Sequence, residues 1–128
     1  MGKKVTKKSK NTDNTTELLN VAVDAMQEKK AQNIISLNLS KLKNSICRYF
    51  IICNADSHIQ VSAISDNIED KILEKLHEKV WRRNGIENAF WIILDYGDVV
   101  IHIFQTEQRN FYRLEELWAD AELTQYIE

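Results

Sequence analysis

Residues 91–118 contain two β-rich runs around a short turn, and this stretch limits the possible folds more than any other part of the chain. Phe90–Leu94 and Val99–Phe104 are rich in the aromatic and branched residues that favour strands. Between them lies Gly97, a residue that tolerates the positive φ of a tight turn. The pattern predicts an antiparallel hairpin, followed by a helix that Thr106 caps. The apolar face of that helix is predicted to carry Phe111, Leu114, Leu117 and Trp118.

The residues before this stretch predict a helix and two strands. The helix is expected to begin at Thr15 or Thr16, either of which can cap it, and to end near Lys30. The alternating run Asn33–Leu39 predicts a half-buried strand. The run Arg48–Cys53 is almost continuously apolar, which predicts a strand covered on both faces.

A second helix is predicted to begin at Ser57. Gln60 lies three residues further on, so the two side chains are expected to form a capping box, in which each bonds the other residue's backbone amide. The buried stripe of this helix is predicted to be Val61, Ile64, Ile68, Ile72 and Leu76. A short edge strand at Val80–Arg83 completes the order α-β-β-α-β-β-β-α. This order predicts an α/β (α+β) fold, a mixed β-sheet of about five strands with helices packed on it, in one domain over residues 15–128.

Charge is distributed unevenly along the chain. Residues 1–10 carry five lysines and no acid, whereas the other 12 basic and 19 acidic residues give the rest of the chain a net charge of −7. Residues 1–14 are too polar to bury a core, so we expect them to be a disordered basic tail. This tail could touch RNA without specificity or could serve only as a solubilising leader. The acidic remainder suits a basic protein partner better than a phosphate backbone.

The sequence has no apolar run long enough to span a membrane. It also lacks the apolar segment of a secretory signal after its basic start. We therefore expect a cytoplasmic protein that has no membrane contact.

No combination of residues predicts a catalytic or metal site. Asp95 and Asp98 lie three positions apart, so alternation along a strand would point them to opposite faces. Hydrogen bonds to the local backbone explain aspartates beside a glycine turn more simply. His102 is expected to be hydrogen-bonded within the fold, and Cys47 and Cys53 to face the core together as free thiols. We therefore expect no metal, no cofactor and no enzymatic activity.

Aromatic residues are abundant near the predicted hairpin. Trp and Tyr dominate binding hot spots because they bury a large area at a low entropic cost. We expect Trp91 and Tyr96 to form a contact surface, Tyr96 because a turn apex is difficult to bury. Phe111 and Trp118 are expected to fill the core.

Two segments of the chain resemble the ribosomal silencing factor family, the Iojap-related proteins of bacteria and organelles. The first begins at Trp91, continues through the letters DYGDVV, His102 and Arg109, and ends at the letters LEELW. The second consists of the letters YFII followed by Ser57 and the pair Gln60-Val61. Four positions depart from the residues usual in the family, and none lies in the DYGD turn: Arg48, Ala55, Asn84 and Phe90.

The resemblance implies a nucleotidyltransferase-like but non-catalytic fold. It implies a translation repressor that binds the large ribosomal subunit through its fourteenth protein, on the intersubunit face, and sterically blocks joining of the small subunit. It implies partner-binding roles for Trp91, Asp95, Tyr96, Asp98, Tyr112 and Glu115. Homodimer formation is a further implication, and contact between the lysine tail and ribosomal RNA is left open.

Two alternatives stay open at this point. One is a factor for assembly or maturation of the large subunit, which would act through the same surface. The other is a nucleotidyltransferase-like enzyme that would use Ser57 at a helix start and Asp95 near a strand end.

Overall fold

The computed structural model describes residues 10–43 and 45–127, which form a mixed six-stranded sheet with helices on both faces. The helices are α1 (Lys10–Glu28), α2 (His58–Leu76), α3 (Thr106–Tyr112) and α4 (Leu114–Leu117). The strands are β1 (Gln32–Asn38), β2 (Tyr49–Ala55), β3 (Arg82–Asn84), β4 (Trp91–Asp95), β5 (Val99–Gln105) and β6 (Glu122–Gln125). The predicted mixed sheet with packed helices is confirmed, and it has one strand more than the expected five.

The sheet has the strand order β3-β4-β5-β2-β1-β6. Strands β2 and β5 pair in parallel, with Tyr49 opposite Val99, and the other neighbouring pairs are antiparallel. The predicted hairpin is confirmed as β4 and β5, and Gly97 has a φ of +90° in its turn. This topology places the hairpin directly beside β2, which is buried on both faces as expected.

Helices α1 and α2 cover one face of the sheet, which we call the helical face. Its core joins Leu18, Ala22 and Met26 of α1 to apolar residues of β1, β2, β4 and β5. The predicted stripe of α2 is confirmed, since four of its residues are buried and Leu76 is partly buried against this core. Residues one helical turn apart project from the same side, which explains why both helices bury one stripe.

The opposite face of the sheet, which we call the second face, is covered less completely. Its core contains Phe50 and Ile52 of β2 with Phe104 of β5, and Leu114 and Trp118 pack against it. Residues of β4 on this side are only partly buried. The second face is therefore more open at β4 than at its centre.

The predicted start of the second helix at Ser57 is confirmed, whereas the predicted start of the first helix is wrong. The Ser57 hydroxyl accepts a hydrogen bond from the Gln60 amide at 3.1 Å, a cap that contributes about 1 kcal/mol. The Gln60 side chain donates to the Lys29 carbonyl instead of reaching back, so the reciprocal half of the capping box is wrong. Helix α1 begins at Lys10, so neither Thr15 nor Thr16 is its cap. The predicted tail is thus helical from Lys10, and its residues 1–9 lie outside the described residues.

The C-terminal quarter also departs from the prediction. The Thr106 hydroxyl does not cap α3, because it donates to Asp56 and accepts from Asn54. Arg113 has a φ of +50°, which ends α3 and rotates α4 out of its register. Strand β6 was not predicted because all four of its side chains are exposed, so it has no apolar alternation.

Both cysteines are free and buried, as expected. The expectation that they face the same way is wrong. Cys53 of β2 belongs to the core of the helical face, whereas Cys47 lies before the strand and belongs to the core of the second face. Burial raises the thiol pKa to about 11 for Cys47 and about 12 for Cys53, so both are protonated at neutral pH.

No helix in the described part of the chain combines the length and the apolar character needed to cross a lipid bilayer.

Candidate partner-binding surface

The candidate site lies on the second face of strand β4. Successive side chains of a strand point to opposite faces, so Trp91, Ile93 and Asp95 share this face. Ile92 and Leu94 point the other way into the core of the helical face. Trp91, Ile93 and Asp95 remain partly exposed, so the second face is accessible at this strand.

The Trp91 side chain is held in a fixed orientation. Its indole stacks on Phe104 of the neighbouring strand, with ring centroids 4.7 Å apart and an interplanar angle of 26°. The indole Nε1 donates a hydrogen bond to Nδ1 of His102 at 3.1 Å. One side of the ring is therefore packed on the protein, while the partial exposure of the residue leaves area for a partner.

His102 is hydrogen-bonded within the fold, as predicted. Burial lowers its pKa to about 3, so the imidazole is neutral at physiological pH. Its Nδ1 accepts from Trp91, which places the proton on Nε2. Nε2 is buried and has no partner among the described residues. His102 thus holds the indole in its uncharged form at physiological pH.

Two aromatic side chains of α3 continue the exposed ring area beyond Trp91. The Tyr112 ring centroid lies 4.9 Å from that of Trp91, and Tyr112 is 49% exposed. Phe111 packs edge-on against Tyr112 at 5.1 Å and is 79% exposed. We call Trp91, Phe111 and Tyr112 the aromatic surface. Trp91 and Tyr112 were predicted to bind a partner, whereas Phe111 was not.

Phe111 was expected in the core, and that expectation is wrong. The prediction assumed one helix from Thr106 to Trp118, whereas the positive φ of Arg113 divides this segment. Leu114 and Trp118 still pack against the second face, but Phe111 and Leu117 do not. The adjacent pair Phe111-Tyr112 gave no clear signal of this, because adjacent helical residues can share one core, as Leu18 and Leu19 of α1 do.

The two predicted aspartates contact different parts of the structure. Asp95 accepts a hydrogen bond from the Gly97 amide at 2.8 Å, which confirms the local turn role expected for it. Its other oxygen lies 3.6 Å from the exposed guanidinium of Arg82. Asp98 is exposed, and Thr15 of α1 donates to its carboxylate at 3.4 Å. The two carboxylates therefore have separate partners, as the alternation argument predicted.

Tyr96 is not part of an exposed surface. It is only 4% exposed and belongs to the core of the helical face, so the expectation that a turn apex would expose it is wrong. Tyr96 lies two residues beyond Leu94, so its side chain continues the face of β4 that points into this core. Burial raises the pKa of the Tyr96 hydroxyl, and the nearby carboxylates of Glu69 and Glu78 raise it further.

Glu115 is engaged within the fold by Arg109, a buried residue of α3. Its Oε2 accepts from Nε and Nη2 of Arg109 at 3.2 and 3.1 Å. Nη1 of Arg109 donates to the Asn33 carbonyl at 2.6 Å and to the Asn54 side chain at 2.9 Å. The guanidinium thus joins β1, β2, α3 and α4. Sequence reasoning did not give Arg109 this role, and its polar neighbours Gln108 and Asn110 gave no sign that it would be buried.

Among the side chains of residues 14–43 and 45–127, no three of His, Cys, Asp or Glu are grouped so that they could hold a metal ion. The exposed His58 and His77 lie at the two ends of α2. The described geometry supports binding by area and charge at the aromatic surface.

Comparisons with known proteins cover nearly the whole chain. A family model described as ribosomal silencing factor during starvation matches residues 12–128. The ribosomal silencing factor RsfS of Halalkalibacterium halodurans is 39% identical over 105 residues, which are 82% of this chain and 88% of that protein. The protein of the same name from Bacillus subtilis is 36% identical over 110 residues, 86% of this chain and 92% of its own.

A solved structure shares the fold. The crystal structure of a Chromobacterium violaceum protein matches with a TM-score of 0.76 and 29% sequence identity, covering 88% of this chain and 92% of that chain. The residues matched by the family model include the complete aromatic surface.

Proposed function

Because the chain belongs to the ribosomal silencing factor family, we propose that it represses translation by binding the large ribosomal subunit and excluding the small one. Its partner is the fourteenth protein of the large subunit, on the face where the subunits meet. The bound domain occupies space that the small subunit needs. This activity takes place in the cytoplasm and requires no covalent step, so the protein is not an enzyme.

The observation that carries this proposal is the held indole of Trp91 within the aromatic surface. A partner that covers Trp91 and Tyr112 removes large apolar rings from water, the kind of contact that forms interface hot spots. The hydrogen bond to His102 and the stacking on Phe104 fix the indole before binding. Little side-chain entropy is then lost when the partner docks.

Charge favours a basic protein as this partner. Asp95 lies on the same face of β4 as Trp91, and its only basic neighbour within 4.0 Å in the described part of the chain is the exposed Arg82. An exposed ion pair contributes little to stability, so a lysine or arginine of the partner can replace Arg82 at low cost. Asp98 is exposed at the adjoining turn and adds negative charge there. The net charge of −7 outside residues 1–10 speeds encounter with a basic surface.

The remaining two predicted residues support this surface indirectly. Tyr96 anchors the hairpin turn from the helical face, and it offers no ring to a partner. Glu115 fixes Arg109 and with it the position of α3, which carries Tyr112. Both are positioning residues in this proposal.

Sedimentation of purified subunits tests the proposal. The wild-type protein, added before the subunits are mixed, should keep them apart and should sediment with the large subunit. Trp91→Ala and Phe111→Ser should each weaken this effect at least tenfold, and the high exposure of Phe111 means that its variant should fold. Leu73→Ala on α2 is the control, because Leu73 is also an exposed apolar residue but lies on the helix that covers the other face.

Unchanged separation by both aromatic variants would refute the site, and wild-type protein that never sediments with large subunits would refute the function. Association with immature large subunits alone would instead favour the assembly alternative.

A further inference from the structure

The Asn54 side chain lies near the end of β2, on the second face of the sheet, and makes four hydrogen bonds. The residue is only 1% exposed. Its amide nitrogen donates to the Thr106 hydroxyl at 2.9 Å and to the Gln32 side chain at 3.3 Å. Its amide oxygen accepts from Nη1 of Arg109 at 2.9 Å and from the Asn33 side chain at 3.2 Å. A side-chain amide has two N–H donors and an oxygen with two lone pairs, so Asn54 uses its full bonding capacity.

Two of these hydrogen bonds reach helix α3. Thr106 is the first residue of α3 and Arg109 lies three positions further on, so both project from one side of the helix. The other two bonds reach Gln32 and Asn33 at the start of β1. One buried amide therefore holds α3 at two points and ties it to strands β1 and β2.

Apolar packing gives α3 little support of its own. Among the seven residues of this helix, all of which the structure describes, Arg109 alone is buried. The Gln105 side chain, just before the helix, donates to the Ala89 carbonyl at 3.2 Å and does not cap α3. A helix this short is not stable without tertiary contacts. Helix α3 therefore depends on polar contacts with the sheet more than on a buried apolar stripe.

The position of α3 determines the geometry of the aromatic surface. Phe111 and Tyr112 are the last two residues of α3, and the Tyr112 ring centroid lies 4.9 Å from that of Trp91. Trp91 itself is held by His102 and Phe104, which belong to the hairpin. The hairpin thus fixes one ring of the surface, and the contacts of α3 fix the other two.

We propose that Asn54 is a positioning residue for the aromatic surface: its hydrogen bonds hold α3 so that Phe111 and Tyr112 lie beside Trp91 before a partner docks. Rings that are ordered in advance lose less entropy when they become part of an interface. The ordering of α3 is a property of the free protein, whereas its effect on docking rests on the proposed function.

Amide hydrogen exchange of the full-length protein tests this role with the variant Asn54→Ala. Arg109 keeps its bonds to the Asn33 carbonyl and to Glu115, so we expect the variant to fold. The amides of residues 110–113, which bond within α3, should exchange about tenfold faster or more. The amides of α2 should exchange as in the wild type.

Asn67→Ala is the matched control, because the Asn67 side chain joins α2 to the Ala25 carbonyl and the Glu28 carboxylate of α1, both at 2.9 Å. This control should leave exchange in α3 unchanged. Unchanged exchange in α3 of Asn54→Ala, or an equal increase throughout the sheet and helices, overturns the proposal. If Asn54→Ala does not fold, Thr106→Val removes one of the four bonds, and unchanged exchange in α3 of that variant has the same meaning.

Binding to purified large subunits at low salt measures the effect on docking. Asn54→Ala should weaken binding about fivefold or more. In a protein whose Phe111 and Tyr112 are both changed to serine, the same substitution should weaken binding less than about twofold, because α3 then has no ring to position. An equal loss in both proteins overturns the proposal, since it shows general destabilisation. If the wild-type protein does not bind large subunits, the proposed function fails, and the exchange result alone decides the role of Asn54.

Discussion

The indole nitrogen of Trp91 donates to Nδ1 of His102 at 3.1 Å, across the pair of strands that forms the hairpin. This bond joins an exposed binding residue to a buried one. Because burial keeps His102 neutral, its Nδ1 remains available as an acceptor at physiological pH. A substitution of the buried His102 can therefore alter the orientation of the Trp91 ring, which the proposed partner contacts.

His102 should make the stability of the protein depend on pH. Its folded-state pKa of about 3 lies below the ordinary value of 6.5, so the unfolded chain binds the proton more readily. The stabilising contribution is complete above about pH 6.5 and is lost as the pH falls towards 3. We expect the unfolding free energy to be about 2 kcal/mol lower at pH 5 than at pH 7. Urea unfolding at both values measures this difference.

The variant His102→Phe is the control for this prediction, because it removes the titrating group and keeps a ring of similar size. Its stability should change much less between pH 7 and pH 5. An equal decrease in both proteins would show that other groups cause the pH dependence.

Arg109 should be far more important for stability than its neighbour Arg113. Arg109→Met leaves the buried side chain of Asn54 and the carboxylate of Glu115 without their cation, a loss of about 3–5 kcal/mol. Arg113→Met is the matched control. Its ion pair with Glu116 is exposed on both sides, so its removal should cost less than about 0.5 kcal/mol. Thermal and urea unfolding of both variants check the contrast, and equal losses would contradict it.

The two glycines with positive φ should differ in their tolerance of alanine. At Gly85, with a φ of +81°, an added Cβ would collide with the backbone carbonyl of Trp91, which cannot move without distorting β4. At Gly97 the obstacle is the exposed ring of Trp81, which can swing away. We expect Gly85→Ala to cost about 3 kcal/mol or more and Gly97→Ala about 1–2 kcal/mol. Denaturant midpoints measure the order, and the reverse order would refute this explanation.

Removing the hydroxyl of Tyr96 should not weaken the fold. The group is buried without a partner among the described residues, so Tyr96→Phe should leave the unfolding free energy unchanged or raise it by up to about 1 kcal/mol. Tyr126→Phe is the comparison, because the Tyr126 hydroxyl shares a hydrogen bond with Ser36 at 3.0 Å. That variant should lose about 1 kcal/mol. A larger loss at Tyr96 than at Tyr126 would mean that the Tyr96 hydroxyl has a partner after all.

The regular elements were predictable because their signals are local. The stripe of α2 and the glycine turn before β5 follow from spacing alone, and both are confirmed. The exposed strand β6 has no such signal, since its place depends on pairing with β1. The division of the last helix depends on one backbone angle at Arg113, a residue type that rarely adopts a positive φ.

The candidate site was predictable only in part, because some of its features follow from local spacing and others from tertiary packing. Trp91 and Asp95 share a face because strands alternate, and a sequence shows alternation directly. The exposure of Phe111 depends on how segments pack in three dimensions. The burial of Tyr96 continues the alternation of Ile92 and Leu94, and it was missed because a turn apex was assumed to be exposed.

The strand order has a consequence for how the protein is made. Strands β1 and β2 are synthesised early and lie in the middle of the sheet. The second neighbour of β2 is β5, where Tyr49 pairs with Val99, and the second neighbour of β1 is β6, where Ser36 pairs with Thr124. Both neighbours are synthesised much later. A partly synthesised chain that has left the ribosomal exit tunnel therefore has two unpaired strand edges, which can pair with non-native strands. The sheet can therefore close only after Thr124 has been synthesised and has left the ribosome.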